Sequence, residues 1–415
     1  MRRIRLLGFV VLAGACGRAG DGGGAAVTRD SAGIAIVENT GPVWTPGQEW
    51  KVIDSAVIDI AGDFDSVTGP LRLSSGHLAI TNAGSHDVRI YDSTGTLLHT
   101  SGRAGGGPGE YQNLAGIWLG PGDSIMVSDF LVRRLTVLDS AGTYQRSFSL
   151  GGTGGAPVPV GGRFEMAIPQ GWFSDGSVAG VTMSFAINQP RDGVFRDSIT
   201  AFRYGSDGLV RDTIARFPGI EMESMTMTMG TQSFNAPTAV PLGRVSVSAA
   251  QGERFYLAQN NSWEIEVRER NGKLLRLIRL DARPVPITPD DIAAHRQGQL
   301  DLIEGMPMMR AVPAPVKSQL RTRIEQAKYP PTFPFVSAML IDGDGNLWVQ
   351  EVASPRVKAS VFAVVDSSGV LLGRVTMPAD FRPTSIGTGI VYGVWKDADD
   401  VQHLRAYPLR RGPRP

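Results

Sequence analysis

Five times along this 415-residue chain, an apolar-alternating run meets a short polar turn with glycine and is followed by a second run. The copies occupy 88–101, 135–150, 199–217, 265–280 and 361–377, with turn glycines at Gly95, Gly142, Gly208, Gly272 and Gly369. Asp or Asn ahead of such a glycine suits the positive-φ corner of a tight hairpin. Upstream of each copy lies another pair of runs, at 71–81, 117–128, 171–185, 245–259 and 338–350. In these pairs Leu78 and Ile80 share one face, as do Ile125 and Val127, and Leu347 and Val349. Each unit therefore reads as four strands, the size of one blade of a β-propeller.

A sixth unit begins near Thr384, with strands at 390–395 and 402–409, and then the chain ends one strand short. Residues 51–60 form a β-patterned run that belongs to no complete unit. Pairing that run with 402–409 removes two exposed sheet edges, so the expectation is ring closure by the two ends of the fold. The glycine spacing stretches to 97 residues between Gly272 and Gly369, which demands an insertion at 282–334. Thr288-Pro289-Asp290-Asp291 has the chemistry of a helix start, with a hydroxyl cap, proline and first-turn carboxylates. A second helix is expected from Ala314 to Lys328, where Val316, Leu320 and Ile324 share one face. The expected fold is all-β: one six-bladed propeller of four-stranded blades over 28–409, a helical insertion at about 288–328 between blades four and five, and a tail at 410–415.

The N-terminus has the features of an export signal. Arg2, Arg3 and Arg5 precede the apolar run 6–12, and Ala13-Gly14-Ala15 offer small residues at a cleavage point. The apolar run is too short to span a bilayer as a helix. The small residues stand directly before Cys16, the chain's one cysteine. The expectation is a signal peptide at 1–15, lipidation at Cys16, and a Gly-rich flexible tether over 16–27. That places the protein outside the cytoplasm, at the cell envelope, touching membrane only through its lipid. A single cysteine excludes an intramolecular disulfide. With 41 basic and 40 acidic residues and no long basic run, nothing in the charge pattern argues for nucleic acid.

Residues 101–111, SGRAGGGPGEY, resemble the GR-x-G-x-GPGEF segment of exported bacterial six-bladed β-propellers related to NHL repeats, where it joins one blade to the next. Residues 342–349, DGDGNLWV, resemble the D-x-x-G-x-LWV hairpin of propeller repeats generally. Such a resemblance, over roughly 28–409, implies the fold and the lipoprotein character. It assigns no chemistry, because propellers serve as binding modules, lactonases and lyases alike.

Several patterns carry candidate chemistry. The Gly-rich run 102–109 lacks the Gly-Lys-Ser/Thr of a phosphate loop and reads as a connection, with Arg103 and Glu110 placed to pair across it. Asp342, Asp344 and Asn346 have the spacing of a calcium loop, but Leu347 stands where glycine is required, so a turn is expected. His77, His86, His99, His295 and His403 lack close metal-ligand spacing. Met222, Met225, Met227 and Met229 suit soft copper or flexible packing. Asp129, Arg133 and Arg134 fall in a loop between blade strands, where paired guanidiniums suit a carboxylate or phosphate, and they are the candidate binding residues. No catalytic residue, metal ligand or cofactor is assigned. The expected function is non-catalytic binding of a small molecule or an envelope protein. The alternative is a metal-dependent enzyme of lactonase or lyase type working in the central channel.

Overall fold

The computed structural model describes residues 25–152, 163–186, 191–229, 232–305, 312 and 314–413. Cys16, the apolar run before it and most of the tether lie outside the described residues.

Local turn chemistry shapes the strands. In the hairpin between Asp87–Tyr91 and Leu97–Ser101, Asp92 Oδ1 accepts from the Thr94 and Thr96 N–H groups at 2.8 and 2.9 Å, and Gly95 takes φ +92°. Asp139 does the same for Ala141 and Thr143, at 3.0 and 2.9 Å, and Asp366 for Ser368 and Val370, at 2.9 Å each. The carboxylate satisfies turn N–H groups that the ladder cannot reach.

The strands form antiparallel meanders. Three of them are separate four-stranded sheets, over 67–101, 114–148 and 336–379. A fourth sheet joins Phe381–Gly387, Ile390–Lys396 and Gln402–Arg410 to strands from the N-terminal part. The remaining sheet has eleven strands and contains two meanders, 163–229 and 247–280. The sheets among the described residues are thus five, whereas one separate sheet per sequence unit was expected. The cause lies at Gly171. Its backbone runs parallel to Ala250–Gly252, and a Cβ on Gly171 would sit 2.0 Å from the Ala250 carbonyl oxygen. Only glycine lets these two first strands come close enough to hydrogen-bond, which fuses the sheets.

The first strands of the meanders lie beside one another in chain order, and Phe381–Gly387 returns to lie against Val67–Arg72. Arg382 Nη2 donates to the Val67 carbonyl and Thr384 Oγ1 to that of Pro70, both at 2.9 Å. Apolar clusters fill the space between successive meanders: Ile90 and Val88 meet Ile117 and Ile125, and Phe173 and Val181 meet Phe255 and Leu257. The last meander packs Tyr392 and Leu404 on Val67 and Ile80 of the first. This is an all-β, propeller-like fold with few helices.

The N-terminal part straps the ring from outside. Ala26–Ser31 and Ile34–Asn39 form a hairpin that extends the sheet at Leu274–Leu280, with Ile34–Asn39 parallel to it. Asn39 then ties to the next meander: Nδ2 donates to the Gly369 carbonyl at 3.1 Å and Oδ1 accepts from the Leu371 N–H at 2.8 Å. Further on, Lys51–Val52 and Ile58–Ala61 pair antiparallel with Gln402–Arg410. Between them sits an aromatic cluster. The Trp50 ring lies 5.2 Å from that of Trp44 and 5.9 Å from that of Trp348, with the Arg411 guanidinium 4.4 Å from its centroid. Arg411 also pairs with Asp342, at 3.1 Å, and with Asp344.

Trp50→Ala should cost about 3–5 kcal/mol, the range for deleting a buried large aromatic. Urea unfolding followed by far-UV circular dichroism measures it. An unchanged midpoint would mean that the strap does not hold the ring.

Candidate functional site

Two connections depart from the repeat, and they are neighbours on the ring. The first joins the meander of 163–229 to that of 247–280. Its strand Val210–Met229 overruns the blade and turns back as Gln232–Ala239. The second is the insertion after Leu280, which carries helices α1 (Pro289–Gly305) and α2 (Ala314–Gln326).

The insertion is fastened at both ends. At its base, the Ile287 N–H donates to the Pro331 carbonyl at 3.0 Å and the Phe333 N–H to that of Val285 at 2.9 Å. At the start of α1, Asp291 Oδ2 accepts from the Thr288 N–H and hydroxyl, at 2.9 and 2.6 Å, while Thr288 Oγ1 accepts from the Asp291 N–H at 3.3 Å. This is a reciprocal cap. Asp291 Oδ1 accepts from the Ser354 hydroxyl and from Arg356 Nε, which fixes the helix to the loop after Leu347–Glu351. Hydrogen bonds from Ser354 and then Thr288 hold the Asp291 carboxyl far below the ordinary carboxylate range. These close partners, rather than depth in the fold, shut it off from water.

Between the overrun hairpin and the helix pair lies a cavity of about 770 Å³. The hairpin contributes Glu223 and Met225 to its wall, α1 contributes His295, and α2 contributes Leu320, Arg323 and Ile324. Val316, Leu320 and Ile324 form the apolar face expected from the sequence, yet no residue of α2 is buried. That face lines a void instead of entering a core. His295 Nδ1 hydrogen-bonds the Tyr329 hydroxyl at 3.0 Å, with the rings edge to face at 5.6 Å. The Arg296 guanidinium lies 5.5 Å from the Tyr329 centroid and donates to the Ala327 carbonyl at 3.4 Å. Burial pushes His295 below its ordinary value, so the imidazole is neutral near pH 7. A neutral imidazole held by a tyrosine, beside an apolar wall and a guanidinium, can orient a polar ligand by hydrogen bonds.

Asp129, Arg133 and Arg134 lie elsewhere, on a smaller cavity of about 130 Å³ between two meanders. Both Asp129 carboxylate oxygens and the terminal nitrogens of Arg134 are engaged with backbone. Asp129 is 3 % exposed and accepts four N–H groups: Gln112 and Asn113 at 2.5 and 3.2 Å, Leu131 and Val132 at 3.0 and 3.1 Å. Arg134 donates to the carbonyls of Gly106, Gly107 and Glu110, at 2.9, 2.8 and 2.5 Å, and Arg133 to that of Glu165. Asp129 matches a repeat position. Asn82 likewise ends a second strand, accepting from the Asp65 N–H and donating to the Asp63 carbonyl. Asn260 bonds Phe335 and Val336 of the next meander. An Asn or Asp at the end of the second strand is a brace of the fold, and aligning 79–82 with 126–129 and 257–260 exposes it.

The other patterns resolve similarly. Arg103 Nε and Nη2 donate to Glu110 Oε1 at 2.9 and 2.7 Å, and the Gly-rich run joins one meander to the next. Gly102, at φ +99°, leaves room for the buried Tyr111 ring: a Cβ there would sit 2.4 Å from Cε2. Asp342 accepts from the N–H groups of Asp344 and Asn346, both at 2.9 Å, and from Trp348 Nε1 at 3.0 Å, so it caps a turn. His403 sits on the closing strand and hydrogen-bonds Asp59 at 2.9 Å. Met222 is buried, Met225 lines the large cavity, and the side chains of Met227 and Met229 lie outside the described set. Among the described residues, no three His, Cys, Asp or Glu side chains gather where they could hold one metal ion. Nor is any described helix long and apolar enough to cross a membrane. The sequence reading missed the large cavity, although the two longest interruptions of the repeat were the signal for it.

No family model matches the chain, and no curated protein matches it. Solved structures do. A member of the DUF4221 family from Bacteroides vulgatus is 11% identical with a TM-score of 0.44, covering 88% of this chain and 99% of that one. The PQQ-bound aldose sugar dehydrogenase of Streptomyces coelicolor is 9% identical at 0.41, covering 88% and 100%. A gluconolactonase of Xanthomonas campestris is 13% identical at 0.38, covering 86% and 100%. Similarity this distant transfers no activity.

Asp129→Ala should destabilise the protein by at least about 2 kcal/mol, since it strands several buried N–H donors. Thermal unfolding of the variant checks this. An unchanged melting temperature would return Asp129 to the candidate ligand contacts. The helix pair should also loosen in mild acid. His295 is depressed by burial, so its contribution is complete above the unfolded value near ~6.5 and falls away as pH drops toward the folded value. Asp291, depressed by its hydrogen bonds, stabilises above the usual carboxylate value and gives way only in stronger acid. Hydrogen exchange, corrected for the intrinsic pH dependence, should show protection of 289–305 weakening from pH 7 to ~5, and His295→Gln should flatten that step. Constant protection in the parent protein would refute it.

Proposed function

We propose that this protein is a six-bladed β-propeller, lipidated at Cys16 and held at the outer side of a bacterial membrane, which binds a small ligand without transforming it. The blade count rests on six successive meanders, with the two in the eleven-stranded sheet taken separately and the last completed by strands from the N-terminal part. The anchor rests on the signal-like 1–15 and the small residues before Cys16.

One observation carries the binding reading. The two segments that depart from the repeat meet over a cavity of about 770 Å³, within the size range of small-molecule sites. Neither segment belongs to the four-stranded repeat, and loops on a rigid scaffold are where binding groups are placed. The apolar stripe of α2 supports the same reading. Its apolar side chains line the cavity and no residue of α2 is buried, so a ligand with apolar surface gains apolar contact there.

Cys16→Ser should move the protein from the membrane to the soluble fraction. The released protein should bind one equivalent of an environment-sensitive apolar dye. Leu320→Trp should abolish that binding with the melting temperature intact, because α2 is not part of a core. Dye fluorescence titration reads the outcome, and undiminished binding to Leu320→Trp would locate the site elsewhere.

A further inference from the structure

We infer that the cavity takes a short peptide with apolar side chains and holds it by its two charged termini, the α-ammonium on Glu223 and the α-carboxylate on Arg323. The inference deepens the binding reading above and depends on it.

Two charged side chains on the cavity wall lack partners among the described residues. Glu223 stands on the hairpin wall and Arg323 in the last turn of α2. Both are half-buried, and neither side chain makes an ion pair or hydrogen bond with any described residue. Their neighbours behave differently. Glu221, two residues before Glu223, pairs with Arg244, and Arg321, two before Arg323, pairs with Glu304 at 2.9 Å. The hairpin and helix can therefore pair their charges, yet the two that face the cavity remain apart.

Opposite charges on the walls of a half-open cavity set up a field across it. A monoanion gains at Arg323 and is opposed by Glu223, while a monocation meets the reverse. A molecule with an ammonium at one end and a carboxylate at the other gains at both, provided it spans the gap. A carboxylate also suits the planar fork of a guanidinium.

The lining between the charges fits a peptide. Gln299, Gln319 and Gln326 offer amide donors and acceptors for backbone N–H and C=O groups. Leu320, Ile324 and Met225 offer apolar contact, and the flexible thioether of Met225 adapts to different side chains. His295 Nε2 has no partner among the described residues and adds one more polar contact on the α1 wall.

The test is calorimetric titration of the Cys16→Ser protein with the tripeptide Leu-Ala-Leu in three forms: both termini free, N-acetylated and C-amidated. The free peptide should bind at least about 10-fold more tightly than either blocked form, a difference of about 1.4 kcal/mol for each terminus. Glu223→Gln should remove the effect of acetylation and keep that of amidation. Arg323→Gln should do the opposite. Equal binding of all three forms would overturn the inference, as would variants that leave both effects in place. If no peptide binds while the apolar dye still enters and Leu320→Trp still excludes it, the peptide inference fails and the cavity reading stands. If neither peptide nor dye binds, both fail.

Discussion

Ring closure is the constraint on which this molecule depends, and the pairing of Lys51–Val52 and Ile58–Ala61 with Gln402–Arg410 joins its two ends. Without it, the final meander has three strands, and Lys51–Val52 and Ile58–Ala61 have no sheet to join. Each ladder bond contributes about 1 kcal/mol net, too little for two short strands to meet on their own. The side chains supply the rest. Trp44, Trp50 and Trp348 pack together, and Arg411 covers Trp50 while reaching Asp342. One contact thus links the strap, the turn of one meander and the end of the next.

Once the ring is closed, its layers reinforce one another. These apolar clusters are shared between neighbouring meanders, so each meander has a buried face only because the next is present. The polar seams follow the same rule. Asn39, Asn82, Asp129 and Asn260 bond backbone groups that no ladder reaches, and Asn39 and Asn260 do so across sheets. These side chains are buried, and each is nearly saturated with hydrogen bonds, as the cost of an unpaired buried polar group requires. A ring built in this way is stiff, and stiffness is what allows its connections to vary.

The variation is concentrated in two adjacent connections. The overrun hairpin and the helix pair rise side by side, each fastened by backbone pairing and the helices also by the Asp291 cluster. Their facing walls are not packed to completion. An apolar helix face, a neutral imidazole and two opposite charges surround about 770 Å³ of space. In a core, such an arrangement would cost stability through lost contacts and uncompensated charge. Beside solvent on a rigid scaffold the same arrangement is affordable, and it is what a binding site for an elongated dipolar molecule requires.

Sequence alone determined what depends on near neighbours in the chain. The turns after Asp92, Asp139 and Asp366, the cap at Thr288 and Asp291, both helices, and the Arg103–Glu110 pair all rest on contacts within a few residues. The same local reading could not assign Asp129. Its two chemistries, brace and ligand contact, use the same residue type in the same loop, and only its four N–H partners tell them apart. Tertiary structure alone decided the fusion of two sheets at Gly171, which depends on how near Ala250 comes. It also decided that the Glu223 and Arg323 side chains find no partner among the described residues. Whether a charge is paired depends on what the fold brings within about 4 Å of it, and residues 100 positions apart in the chain reach a common cavity only after the ring has closed.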